Sequence, residues 1–158
     1  MKIFIRHGHD GSNQDYKQDP SLNFSYNDEI TQHTKYLIKK YGYPDVIYCS
    51  PFHRARQTAK IMNKVFNKNI PIFINNKCSR YFSHKERSNP MVKSNTLRYN
   101  PPIDETKQEF RHRVDKLLKR KNDKVVWYIT HYLVIKRIAK KTMRSIPEHM
   151  PFLYTLTI

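Results

Sequence analysis

The chain has 158 residues and a formal net charge of +17, from 30 Lys and Arg set against 13 Asp and Glu. Its 38% hydrophobic and 13% aromatic content excludes global disorder, and its length suits one domain, residues 1–158, around a single core. No apolar run reaches the length of a membrane span, the N-terminal apolar stretch ends too soon for a secretory signal, and two cysteines make no disulfide framework.

Strands alternate with helices in chain order. Residues 2–6 (KIFIR) read as a first strand, and a polar loop follows to about Asn27. Residues 28–41 carry Ile30, Thr34, Leu37 and Ile38 at helical spacing, with Asn27 and Asp28 suited to the N-cap and Gly42 to the end. DVIYCS (45–50) predicts a second strand, stopped by Pro51, and residues 54–66 a helix with Ala55, Ala59, Met62 and Phe66 in register. IPIFI (70–74) predicts a third strand. From 75 to 102 no period is sustained, and Pro90, Pro101 and Pro102 mark a long loop or insert that would serve as a substrate loop. A helix is expected over 105–120 on the stripe Phe110, Val114, Leu117 and Leu118. KVVWYIT (124–130) is almost wholly apolar and should be a central strand covered on both faces. A helix over 132–143 and a strand over 152–158 complete the chain. This alternation predicts an α/β three-layer sandwich, a mostly parallel open sheet with helices on both faces.

The charge alone does not choose a ligand. It would gather anions such as phosphorylated small molecules or nucleic acid. Abundant Lys, Asn, Ile and Tyr beside only 3 Gly is also what AT-rich coding produces. Cys49 and Cys78 are expected as reduced thiols of a cytoplasmic protein, with Cys49 inert in its strand. No histidine or cysteine spacing predicts a metal site.

Ligands of open α/β sheets gather beyond the carboxyl ends of the strands. Here those ends carry Arg6 and His7, then Ser50-Pro51 with Arg54 a turn later, then His131 after Thr130. A histidine at a strand end is ordinarily solvated or locally bonded. Two guanidinium forks around two imidazoles, from three separate strand ends, instead make a receptor for a tetrahedral dianion, with a phosphoryl group the obvious candidate.

IRHG (5–8), SPFHRARQTA (50–59), ETKQEFRHRV (105–114) and ITH (129–131), in this order, resemble the histidine phosphatase superfamily, the phosphoglycerate mutase-like proteins. The resemblance spans nearly the whole chain and includes Asn13, in the pattern RHGxxxxN. It implies that His7 is a nucleophile forming a phosphohistidine that water hydrolyses, with Arg6, Arg54 and His131 on the phosphoryl oxygens and Asn13 adding a polar contact. Such chemistry needs no metal or other cofactor.

The chain departs from the family pattern at His9 and Asp10, at Tyr132 and Leu133 after His131, where glycines usually stand and larger side chains would crowd the phosphate, and at Asp104. Many members also protonate the leaving oxygen with a glutamate just after the third strand. Arg80 stands there, and arginine is no proton donor near neutral pH. Glu86, His84 and Asp10 are the substitutes, with Glu86 preferred; losing the acid would slow the reaction by ~10²–10⁴-fold. The expected activity is a phosphomonoester phosphatase rather than a mutase, since the chain is short beside the mutases it resembles. Its substrate would be highly anionic, held also by Lys77 and Arg80. The alternative is a weakened phosphate-pocket protein that binds a polyanion or nucleic acid.

Overall fold

The computed structural model describes residues 1–10, 21–87, 102–119 and 124–158. The strands are β1 (Lys2–Arg6), β2 (Val46–Cys49), β3 (Ile72–Ile74), β4 (Val126–Thr130) and β5 (Thr155–Thr157). The helices are α1 (Asn27–Tyr41), α2 (His53–Val65), the single turn α3 (His84–Arg87), α4 (Lys107–Lys119) and α5 (Tyr132–Lys141). The sheet runs β3-β2-β4-β1-β5, all neighbours parallel except β5, which is antiparallel to β1. The expected three-layer α/β sandwich is what forms.

Period-two alternation sorts the strand side chains between two apolar layers. Ile3, Ile5, Ile47, Trp127 and Ile129 pack on one face against Ile30 and Leu37 of α1 and Ala55, Ala59 and Met62 of α2. Phe4, Val126 and Tyr128 pack on the other against Phe110, Val114 and Leu117 of α4 and Val134, Ile135 and Ile138 of α5. Every residue of β4 is buried, as its unbroken apolar run requires of a central parallel strand.

The ends of several elements differ from the sequence pattern for local reasons. Asn27 is the first residue of α1 rather than its cap, and Asn23 instead caps the 3-10 turn Phe24–Tyr26 through its side chain. Gly42 ends α1 as expected, with φ +80° and its N–H on Ile38 O at 2.8 Å. α4 starts at Lys107 because Thr106 and Glu109 form a reciprocal capping box, each accepting the other's backbone N–H at 3.2 and 2.7 Å. Of the expected loop at 75–102, residues 76–78 form a 3-10 turn and 84–87 form α3, while 88–101 lie outside the described residues. β5 is shorter than its apolar run because Leu153 turns the chain at φ +58°. Among the described residues no helix is long and apolar enough to cross a membrane.

Candidate active site

Strand register brings the reactive residues together. Arg6 is paired with Thr130, and Cys49 with Ile129, so His7, Ser50 and His131 emerge side by side at the carboxyl rim. Backbone bonds carry the alignment past the strand ends: His7 N donates to Thr130 O at 3.0 Å and Ser50 N to Ile129 O at 2.9 Å. Arg54, in the first turn of α2, enters the same cluster from the side. His7 and His131 are each 4% exposed and Arg54 is 6% exposed, so all three are held by protein rather than solvent.

A hydrogen bond to a carbonyl defines the tautomer of His7. His7 Nδ1 lies 2.8 Å from Gly8 O, which can only accept, so Nδ1 carries the proton and Nε2 keeps its lone pair. Arg54 Nε donates to that lone pair at 3.0 Å. Burial holds His7 well below its ordinary value of 6.5, assisted by the charges of Arg54, Arg6 and Arg80 and opposed by the bond to Gly8. It is therefore neutral at physiological pH. Burial also pushes His131 well below its ordinary value, again with Arg54 next in weight. Its ring stands 5.0 Å from that of His7. Ser50 Oγ lies 3.4 Å from the Phe52 N–H, from which it accepts, and 2.7 Å from His131 Nε2, to which it can then donate. With Ser50 as the donor to Nε2, the His131 proton lies on Nδ1. Among the described residues, His131 Nδ1 and Arg6 Nε are buried with no hydrogen-bond partner. Two uncommitted donors beside a basic cluster are what an oxyanion would satisfy.

Packing fixes these groups. Gly8 N donates to Thr58 Oγ1 at 3.0 Å, and Thr58 in turn donates to Arg54 O at 2.8 Å, tying the His7 segment to α2. A Cβ on Gly8 would stand 2.8 Å from Ile30 Cδ1 and 3.3 Å from Leu22 Cδ2, so the close approach of α1 calls for glycine. Arg6 donates to Met150 O, and its guanidinium lies 4.2 Å from the centre of the Phe152 ring. The Phe52 ring meets the edge of His131 at 5.2 Å.

The other expected residues divide. Arg80 stands close enough to lower both histidines, but its guanidinium is paired with Glu86 and lies 4.8 Å from the Phe82 ring centre. Glu86 is bound by that guanidinium and by the N–H and Oγ of Ser83, each at 2.8 Å. Its burial favours the protonated form, but the bonds from Ser83 and the charge of Arg80 outweigh it and hold the carboxyl below its usual range. A carboxylate so engaged is poorly suited to donate a proton. Lys77 is exposed, and its carbonyl is tied to Arg113 Nη1 at 2.8 Å. Asn13 lies outside the described residues. Tyr132 is half-buried with its hydroxyl 3.3 Å from Lys136 Nζ, and Leu133 is 39% exposed. Cys49 and Cys78 are buried free thiols, and burial pushes Cys49 up to about 11.

Sequence reasoning missed the C-terminal contributors, Met150 and Phe152, and the pair Glu105–Arg113 described below. It noticed Ser50 only as a strand end. Asp10 was one of three substitutes; the structure puts its Oδ2 3.6 Å from Arg54 Nε.

The buried neutral histidines have a measurable cost in acid. Unfolding frees both imidazoles to titrate near their ordinary 6.5, while in the fold they remain unprotonated. The unfolded state then binds more protons, so stability is greatest above that value and falls as pH drops below it. The limiting slope is about 1.4 kcal/mol per pH unit for each histidine. Urea unfolding between neutral pH and pH 5 should show this fall, and His131→Gln should shrink it.

Residues 3–77 match the family model described as histidine phosphatase superfamily, branch 1. A search of curated proteins returned no match. Among solved structures, Bacillus stearothermophilus YhfR is similar at TM-score 0.66 and 20% identity, over 98% of this chain and 88% of that one. A mycobacterial glucosyl-3-phosphoglycerate phosphatase gives TM-score 0.65 and 13% identity, over 97% and 86% of the two chains. The phosphoserine phosphatase of Entamoeba histolytica, solved with 3-phosphoglyceric acid, gives 0.60 and 21%, over 90% and 80%. The matched residues make up just under half of the chain, and these three solved structures share the fold of nearly all of it.

Proposed function

We propose that the protein is a phosphatase that hydrolyses a phosphomonoester through a phosphohistidine on His7. The observation that carries this reading is the state of His7. Its ring is neutral, its Nδ1–H is fixed on Gly8 O, and its Nε2 lone pair faces Arg54 beside the uncommitted donors of His131 and Arg6. In the proposed reaction, substrate phosphate takes Arg54 Nε away from His7, and Arg6, Arg54 and His131 Nδ1–H hold the phosphoryl oxygens. His7 Nε2 then attacks phosphorus in line with the leaving oxygen, and water later cleaves the N–P bond. The two guanidinium groups and the imidazole N–H offset the phosphoryl charge, so the reaction runs without a metal.

The net charge of +17 supports a strongly anionic substrate. The solved relatives named for phosphoserine and for glucosyl-3-phosphoglycerate support phosphatase chemistry over mutase chemistry, and their difference leaves the choice of alcohol to residues around the rim.

The test is rapid quenching of enzyme mixed with a labelled aryl phosphate. Protein-bound label that is lost in acid, survives alkali and maps to His7 is expected. Arg80, paired with Glu86 where the family pattern calls for an acid, supports the second reading, a pocket that binds anions without turnover. Phosphate binding with neither label nor turnover, across several leaving groups, would establish that reading instead.

A further inference from the structure

With Glu86 tied to Arg80, the reaction needs a proton donor from elsewhere, and the cluster itself contains one. We propose that Asp10 is the general acid and base of the site, an inference that rests on the phosphohistidine reading. Its Oδ2 lies 3.6 Å from Arg54 Nε, the same nitrogen that stands 3.0 Å from His7 Nε2. One guanidinium nitrogen thus separates nucleophile from carboxylate. A phosphoryl group that replaces this nitrogen's bond to His7 lies between His7 and Asp10, with its leaving oxygen turned away from His7.

The segment bearing Asp10 is held at each step. Gly8 is bonded to Thr58 at 3.0 Å, the His9 carbonyl accepts from Asn23 N at 2.9 Å, and the His9 ring stacks on Tyr26 at 4.4 Å and against Phe152 at 4.5 Å. The Asp10 side chain itself is 18% exposed, so it can exchange its proton with water between turnovers. A phosphate dianion arriving at Arg54 both withdraws the cation from Asp10 and places negative charge beside it.

The steps balance. The lone pair of His7 Nε2 forms the N–P bond, the P–O bond to the alcohol breaks, and the departing oxygen takes the proton of the Asp10 carboxyl. Asp10, now a carboxylate, accepts a proton from water as the water oxygen bonds to phosphorus. The N–P pair returns to His7, phosphate leaves, and Asp10 is again protonated.

The experiment compares wild type with Asp10→Asn over esters whose alcohols range from dinitrophenol through phenol to an aliphatic alcohol. A poor leaving group needs the proton, so Asp10→Asn should lose on the order of 10²–10⁴-fold in kcat/KM with the aliphatic ester and far less with the dinitrophenyl ester. Asp10→Glu should restore part of the aliphatic rate. The label on His7 should still form in Asp10→Asn from the dinitrophenyl ester. An equal loss for every ester would overturn the proposal and make Asp10 a positioning residue for Arg54. So would a leaving-group-dependent loss in Glu86→Gln that is absent from Asp10→Asn. Absence of label in wild type would instead remove the phosphohistidine reading on which the proposal rests.

Discussion

Alanine at position 7 is expected to lower turnover of an aryl phosphate by on the order of 10⁵–10⁶-fold, the scale on which enzymes lose a covalent nucleophile. It should also abolish the acid-labile label. The argument is one of position: His7 Nε2 carries the lone pair that Arg54 Nε occupies until a phosphate draws that donor away, its other nitrogen being fixed by Gly8 O. Binding should survive the change, because Arg6, Arg54 and His131 remain and Arg54 Nε is released from its bond to His7. Inorganic phosphate should therefore stabilise His7→Ala against heat about as well as it does wild type, and this binding should be lost in Arg6→Ala. Turnover within about 100-fold of wild type would mean that water attacks phosphorus directly.

The second large effect concerns stability. Arg113 joins the start of α4 to the segment that carries Arg80. Its Nε donates to Glu105 Oε2 at 2.8 Å, its Nη2 to Glu105 Oε1, and its Nη1 to the carbonyls of Asn76, Lys77 and Ser79 at 3.0, 2.8 and 3.1 Å. The Glu105 side chain is 7% exposed. Arg113→Ala would strand that carboxylate, and breaking a buried pair from one side costs about 3–5 kcal/mol. A fall in Tm of roughly 6–20 °C is expected, at about 2–4 °C per kcal/mol for a domain of this size. Adding Glu105→Gln should recover part of the loss, because the double variant buries no lone charge. If Arg113→Ala and Glu105→Gln have additive effects in urea unfolding, the two residues are energetically independent and this account fails.

Elements with a strong period were legible in the sequence because burial imposes that period. β4 and the apolar stripes of α1, α2 and α4 lie where their patterns put them. Boundaries were less legible because they depend on single contacts, such as the Thr106–Glu109 capping box or the turn at Leu153. In the site, Arg6, His7, Arg54 and His131 could be assembled from the rule that strand ends converge. The orientation of their rings could not, since it depends on Ser50, Gly8 O and Thr58. Phe152 carried no sequence signal, as it reaches Arg6 only once β5 has folded back against β1. Glu86 looked like a free carboxylate because its capture by Arg80 and Ser83 depends on the turn into α3.

The pairing of β1 also governs when the site can exist. Within the described sheet, β1 joins only β4 and β5, and the Arg6 contact with Met150 spans 144 positions of chain. A ribosome adding about 5–20 residues per second needs roughly 7–30 s to cover this distance. For most of that time the strand KIFIR has neither neighbour, an apolar segment with two open edges, because β4 begins only at Val126. Such long-range pairing also slows the search for the native topology, because loop closure must precede any reward from contact. Chaperone shielding of β1 during synthesis is thus a greater need here than in a chain built from local hairpins. Nascent chains that end before Met150 lack the partner that holds Arg6, so the proposed phosphate site is among the last parts of the molecule to be completed.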